Sequence, residues 1–329
     1  MAIIGTIGQT TAQCTNQLAS WNPNLRTMTA NDSRLLTIHG IALMHLLAWF
    51  IVPISKSAVL RAVQKSNPLV TGLSLLDVPA SELPGFQGND LHPVLVQSGW
   101  NDDIRLDVLQ IWGALFQASV SALYVSKDGS RTPLQADTAG VIGATDSSPP
   151  LGGLVPALVS TLFGGTTLGI GNFKPTDGAY QTDINGVMSA NSKVAILPNP
   201  LSGPGVELEL ADMVFTSAAR PKYTLAQLKR VMNQPVLLNT QEPITNKGKC
   251  ILNTYYLNNA TANPQLRTGN VTLGPGSTFD LESTFVKAAP DGGFGHYLSV
   301  DGMSACAQVL GSNPLYCDDA GEQIDPAAL

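Results

Sequence analysis

The sequence predicts an α+β protein, with an N-terminal, mainly helical region followed by a mainly antiparallel β-sandwich or jelly-roll-like region. Three observations lead there. Apolar residues before about residue 130 recur in runs of helical length and spacing. Period-2 alternation of apolar and charged residues begins only after about residue 175. Turn signals then punctuate the rest of the chain at short intervals. The organisation read from this is an extended arm over 1–30, a mainly helical region over 31–174 and a mainly β region with short helices over 175–329.

Taken in order, residues 1–30 are rich in Thr, Gln and Asn and carry no basic residue before Arg26. Asn31, Asp32 and Ser33 offer N-caps, and Leu35–Val52 is apolar almost all round, so a helix is predicted there, ended by Pro53. Ser55–Lys65 is an amphipathic second helix, with Val59, Leu60 and Val63 on one side. Residues 67–101 contain Pro68, Pro79, Pro84 and Pro93 and read as loop. Asn101 then caps a third helix with Asp102 and Asp103 in its first turn. Ile104, Val108, Ile111, Leu115 and Leu123 continue it to Lys127. Leu154–Phe163 is a short helix inside an uncharged stretch.

Beyond it, Val206, Leu208 and Leu210 alternate with Glu207 and Glu209, as a half-buried strand requires. Further strands are predicted over Lys193–Leu197, Cys250–Leu257, Phe279–Phe285 and Phe294–Val300. Thr224 caps a short helix through Met232, ended by Pro235, and Met303–Leu310 reads as another.

Charge is scarce: Asp, Glu, Lys and Arg make 13% of 329 residues, about half the usual share, while 44% are hydrophobic and the net charge is −6. So sparsely charged an exterior is expected to be covered, by further copies of the chain or by another protein or lipid. Strong direct binding to nucleic acid is excluded, because it takes a dense set of Lys and Arg against the phosphates. Cys14, Cys250, Cys306 and Cys317 contain no C-x-x-C motif and are read as reduced thiols, with Cys306–Cys317 the pair nearest in sequence. Met1–Ser20 lacks the basic start and apolar core of a secretory signal.

No motif specifies a reaction. His39 and His45, six apart, face different sides of a helix and cannot share a metal there. The run Gly164-Gly165-Thr166-Thr167-Leu168-Gly169 lacks the lysine of a phosphate loop and reads as a close-packed glycine crossing. Asp318 and Asp319 do not have the spacing of a calcium loop. No cofactor, metal or catalytic set is expected.

The function this reading favours is structural. The expectation is a self-assembling capsid or coat protein, a subunit of a viral or phage shell built in the host cytoplasm and carried in the virion. It would act through homo-oligomer interfaces and contacts with other shell proteins or lipid. Two alternatives stand beside it. One is a hydrolase with a dispersed site of His296, Asp301 and Ser299. The other is a membrane-associated factor using the uncharged helices.

Overall fold

Nine strands close into a single ring in the computed structural model, which describes residues 10–11, 41–106, 109–110, 114–144, 168–196, 205–239, 248–258, 262–278 and 282–329. They are β1 (Ile41–Ser55), β2 (Leu91–Leu106), β3 (Leu115–Lys127), β4 (Leu134–Ala144), β5 (Gly169–Lys174), β6 (Met188–Ala195), β7 (Glu207–Ser217), β8 (Gln265–Leu273) and β9 (His296–Gly311). Each pairs with its neighbour in sequence, and β9 returns to pair with β1 along ten residues, Ala42–Ile51 against Asp301–Leu310. An odd ring cannot be antiparallel throughout. The single parallel junction is β4–β5, through Val141–Gly169 and Ile142–Ile170. Glycine permits the close approach there: a Cβ on Gly171 would lie 2.9 Å from Val141.

The barrel interior is packed with side chains. One cluster draws on all nine strands, among them Phe50, Val96, Val120, Val141, Phe173, Val194, Met213, Val271 and Tyr297. Phe50 and Phe215 meet at 5.2 Å, and Phe116 stacks on Phe173 at 5.1 Å. Helix α1 (Lys56–Ser66) adds Val59, Ala62 and Val63 to this cluster, and the short α3 (Thr284–Lys287) adds Phe285.

A second cluster lies outside the barrel. Leu47, Trp49 and Ile51 of β1, Leu95 of β2 and Met303, Ala305 and Val309 of β9 pack under α2 (Leu225–Met232) and under Leu83, Phe86 and Tyr255. Alternate residues of β1 therefore belong to opposite clusters: Leu46, Ala48, Phe50 and Val52 inside, Leu47, Trp49 and Ile51 outside. Helix α2 is anchored by a capping box, in which Thr224 Oγ1 accepts from Gln227 N and Gln227 Oε1 accepts from Thr224 N.

The helical N-terminal region and the sandwich are thus corrected to a closed barrel with four short α-helices among the described residues. The stretch predicted as the helix Leu35–Val52 is β1 where it is described, and the predicted helix from Asn101 to Lys127 is the end of β2, the short strand Leu109–Gln110 and β3. The physical reason is burial on both faces, which removes the period-2 signature and leaves a continuous apolar run. Met303–Leu310 belongs to β9 for the same reason. The stretch 67–101 holds the short strand Leu73–Leu75 and the start of β2. Thr284 and Phe285 are helical rather than strand. Helix α1, helix α2 and the strand Glu207–Leu210 stand as predicted. The predicted helix at 154–163 and most of the 1–30 arm lie outside the described residues, apart from Thr10–Thr11, which pairs with Gln181–Thr182.

The cysteines are also corrected. Cys250 and Cys317 form a disulfide across 67 residues, and Cys306, itself disulfide-bonded, does not pair with Cys317. Closing a loop of that length removes unfolded-chain entropy worth about 4 kcal/mol. The bond ties α4 (Cys317–Glu322) to the short strand Cys250–Ile251.

Candidate functional site

The pairing of β6 with β7 contains one irregularity that places chemistry. Asn191 faces Asp212 and Ser192 faces Ala211, but Lys193 faces Glu209, so Leu210 is an extra residue on β7. In a regular strand Glu209 and Asp212, three apart, would point to opposite faces. The bulge brings both to the outer face, while Leu210 and Ala211 turn into the core. Strand β5 flanks β6 on its other side, with Lys174 opposite Asn191 and Asn172 opposite Lys193. Two cross-strand rows result on the barrel exterior: Lys174–Asn191–Asp212 and Asn172–Lys193–Glu209.

These rows, Asn172 apart, form the floor of a polar cleft of about 290 Å³, completed by Gln181 and Ser189, whose side chains hydrogen-bond at 3.1 Å. Asn191 Nδ2 donates to Glu209 Oε1 at 2.5 Å and lies 3.5 Å from Asp212 Oδ1. Lys193 Nζ stands 4.0 Å from Glu207 Oε2, and Asn172 donates to the same Glu207 carboxylate. Desolvation raises the Glu209 carboxyl above the usual carboxylate range, and the neighbouring Asp212 charge adds to this. Lys193 and the Asn191 hydrogen bond oppose it. A carboxyl of raised proton affinity, beside a second carboxylate and an ammonium group in a cleft, is equipped for proton transfer. Among the described residues no group of three His, Cys, Asp or Glu side chains is placed to hold a metal.

A larger cleft, about 510 Å³, lies between Ser130–Pro133, Pro235 and α4. Of its two carboxylates, Asp318 and Glu322, Asp318 is committed to structure: it accepts from Thr132 Oγ1 at 2.7 Å and from Ser130 Oγ, and those hydroxyls hold it below its usual range.

The residues predicted as a dispersed hydrolytic site are not assembled. His296, Ser299 and Asp301 all lie on β9, with His296 and Asp301 five residues apart, about 16 Å at about 3.3 Å per residue. The carboxylate beside His296 is Asp291, at 3.0 Å from Nδ1, and Asp291 also accepts from the backbone N–H groups of Gly293, Phe294 and His296. This is a turn lock at the start of β9. Ser299 takes a left-handed φ of 54°, and its N–H is bound by Asn270 Oδ1 at 3.1 Å. Asp301 pairs across the ladder with Thr268. The hydrolase built on these three residues is therefore withdrawn.

His39 lies outside the described residues, and His45 is on a strand rather than a helix. Asp102 and Asp103 are strand residues of β2, and Asp318 and Asp319 open α4. Sequence reasoning does not single out the residues of the outer cleft; it places Glu207 and Glu209 only on the polar side of a strand. Their signal was the phase slip in Glu209-Leu210-Ala211-Asp212, where two apolar residues stand between two acids.

The same structure removes the basis of the coat-shell expectation. That expectation needed a helical layer over a sandwich and an apolar exterior covered by other copies. Among the described residues, the apolar stretches Leu46–Ile54 and Leu115–Val125 are instead buried by this chain's own barrel and helices. No helix among the described residues is long and apolar enough to cross a membrane.

No protein-family model matches the chain. No curated protein matches it either. Among solved structures, the enduracididine biosynthesis enzyme MppR aligns over 92% of this chain and 97% of its own, at 11% identity and a TM-score of 0.46. An acetoacetate decarboxylase-like enzyme from Sphingomonas wittichii RW1 aligns over 84% of this chain and 92% of its own, at 11% identity and a TM-score of 0.42. Both are described as enzymes and neither as a capsid or virion component; the coat-protein reading is corrected on the closed barrel itself, which has neither the helical layer nor the sandwich that reading needed.

Proposed function

We propose that the chain is an enzyme that carries out general acid–base chemistry on a small polar substrate in the β5–β6–β7 cleft. Glu209 is the proton donor, desolvation and then the neighbouring Asp212 charge raise its proton affinity, and Lys193 offsets negative charge developing on the substrate. The observation that supports this is the bulge at Leu210, which sets Glu209 and Asp212 on one face with Asn191 between them. In the donating step the O–H bond of Glu209 breaks, the proton passes to a basic atom of the substrate, and the resulting carboxylate recovers a proton from water.

The test has two readouts. Carboxyl-carbon NMR titration should find Glu209 titrating above an ordinary glutamate, and Asp212→Asn should bring it down, because a repelling charge is removed. A turnover screen over small hydroxy, keto and amino acids should yield an activity that Glu209→Gln lowers about 10²–10⁴-fold. A Glu209 that titrates at or below the ordinary value, or a Glu209→Gln protein with full activity, overturns the proposal.

A further inference from the structure

We infer that the ligand of this cleft is a small zwitterion, a molecule with one carboxylate and one ammonium group a few ångströms apart, as in an α-amino acid. Its carboxylate would lie toward Lys174 and its ammonium toward Asp212. The inference rests on the acid–base reading of the same cleft and adds the substrate class to it.

The row Lys174–Asn191–Asp212 carries the argument. It places a cation on β5, an amide on β6 and an anion on β7. Adjacent strands are about 4.8 Å apart, so the two charged residues are rooted about 10 Å from each other across Asn191. Lys174 is exposed and has no ion-pair partner among the described residues. Asp212 has only the Asn191 amide, at 3.5 Å. The other lysine of the cleft, Lys193, is drawn instead toward Glu207. One row thus presents two charges of opposite sign that do not neutralise each other, on the floor of a 290 Å³ cleft whose lining is almost wholly polar.

A simple anion drawn to Lys174 would meet Asp212 and Glu209. A simple cation drawn to Asp212 would leave Lys174 unanswered and meet Lys193. A dipolar molecule satisfies both ends of the row, and the central Asn191 amide, with donor and acceptor groups, suits its middle. The shortage of apolar lining excludes a ligand with a large hydrophobic side chain.

Calorimetric titration of the full chain with glycine, acetate and methylammonium decides it. Glycine should bind at least tenfold more tightly than either single-charge probe. Asp212→Asn and Lys174→Gln should each weaken glycine at least tenfold with unchanged thermal unfolding, and Asp212→Asn should leave acetate as tight as before or tighter. Acetate equal to glycine makes this an anion site, methylammonium equal to glycine makes it a cation site, and either result overturns the inference. So does glycine binding that neither substitution weakens. Binding and turnover fail separately. Glycine bound as expected, with activity untouched in Glu209→Gln, sinks the acid–base reading alone. Activity lost in Glu209→Gln, with glycine bound no better than the single charges, sinks the zwitterion alone.

Discussion

Two walls of the same barrel are built to different rules. The wall of β9, β1, β2 and β3 is covered on both sides, by the barrel core within and by α2, the 76–86 segment and Tyr255 outside. Among the described residues the wall of β5, β6 and β7 is covered only from within, and its outer face carries Lys174, Asn191, Lys193, Glu209 and Asp212. The first wall spends its residues on cohesion. At Gly302 of β9 even a Cβ is excluded, since it would lie 1.8 Å from the Trp49 carbonyl oxygen. The second keeps one face free for polar groups, and the candidate chemistry is there. The scarcity of charge in the whole chain follows from the first wall, because strands buried on both faces need apolar side chains at every position rather than at every second one.

The comparison breaks most readily at Trp49. Its side chain points out of the barrel, and on an ordinary open wall its loss would cost little. Here it is 1% exposed, meets Tyr255 edge-on at 5.9 Å and donates to Gln97 Oε1 at 3.0 Å. Trp49→Ala should therefore cost about 3–5 kcal/mol in urea unfolding, as a core aromatic does. A loss below about 1 kcal/mol would mean that the outer layer does not close over β1, and the contrast between the walls would fall.

The two walls also differed in how readable they were. On the open wall, Glu207-Leu208-Glu209-Leu210 displays the strand period directly, because water faces one side and core the other. On the covered wall, Leu46–Val52 is apolar at every position, and the two outcomes, buried helix and doubly buried strand, share that pattern. Length favoured helix, since β1 has 15 residues and β9 has 16, beyond the usual strand. The cap at Thr224 was legible because it is local, lying directly before the helix it starts. The site was not, because it depends on a register slip between β6 and β7 and on β5 from a separate stretch of chain. The disulfide was equally non-local, joining residues 67 apart.

A second effect, smaller than the first, reads the covered wall through pH. His92 of β2 is fully buried; its Nε2 lies 2.6 Å from the Leu123 carbonyl oxygen, and its Nδ1 has no partner among the described residues. Burial lowers its pKa from 6.5 to about 4. The folded protein therefore resists a proton that the unfolded chain accepts, so stability present above pH 6.5 is lost as pH falls toward 4, by up to about 3 kcal/mol. Asp137 on β4 works in the opposite sense: desolvation raises it to about 6, so its ionisation costs stability as pH climbs from about 4 to 6. His92→Gln keeps a donor toward Leu123 and does not titrate. It should remove the His92 share of the acid loss, so that the variant is destabilised less, or stabilised more, than the native chain as pH falls from 6.5 to 4, measured by urea midpoints across pH 4–8. An unchanged profile would show that His92 is not enclosed as the double-layered wall requires.

The smallest expected effect lies on the open wall and sharpens the contrast most. Lys193 and Ser189 border the cleft, half-exposed, and the Lys193–Glu207 pair is separated by 4.0 Å with both side chains in contact with water. Such pairs contribute about 0–1 kcal/mol, because solvent screens the attraction and ordering a long side chain opposes it. Lys193→Gln and Ser189→Ala should each shift stability by no more than about 0.5 kcal/mol. Glu209→Gln goes further in sign: a carboxyl whose proton affinity is raised by folding penalises the folded state once it ionises, so its neutral replacement should stabilise at pH 8 and not at pH 4. Urea midpoints of these variants at the two pH values test the point. A loss above about 1 kcal/mol in any of them would mean that the polar face holds the barrel together. A gain in Glu209→Gln at pH 8 would show that this acid is kept at the expense of stability, as groups poised for chemistry are.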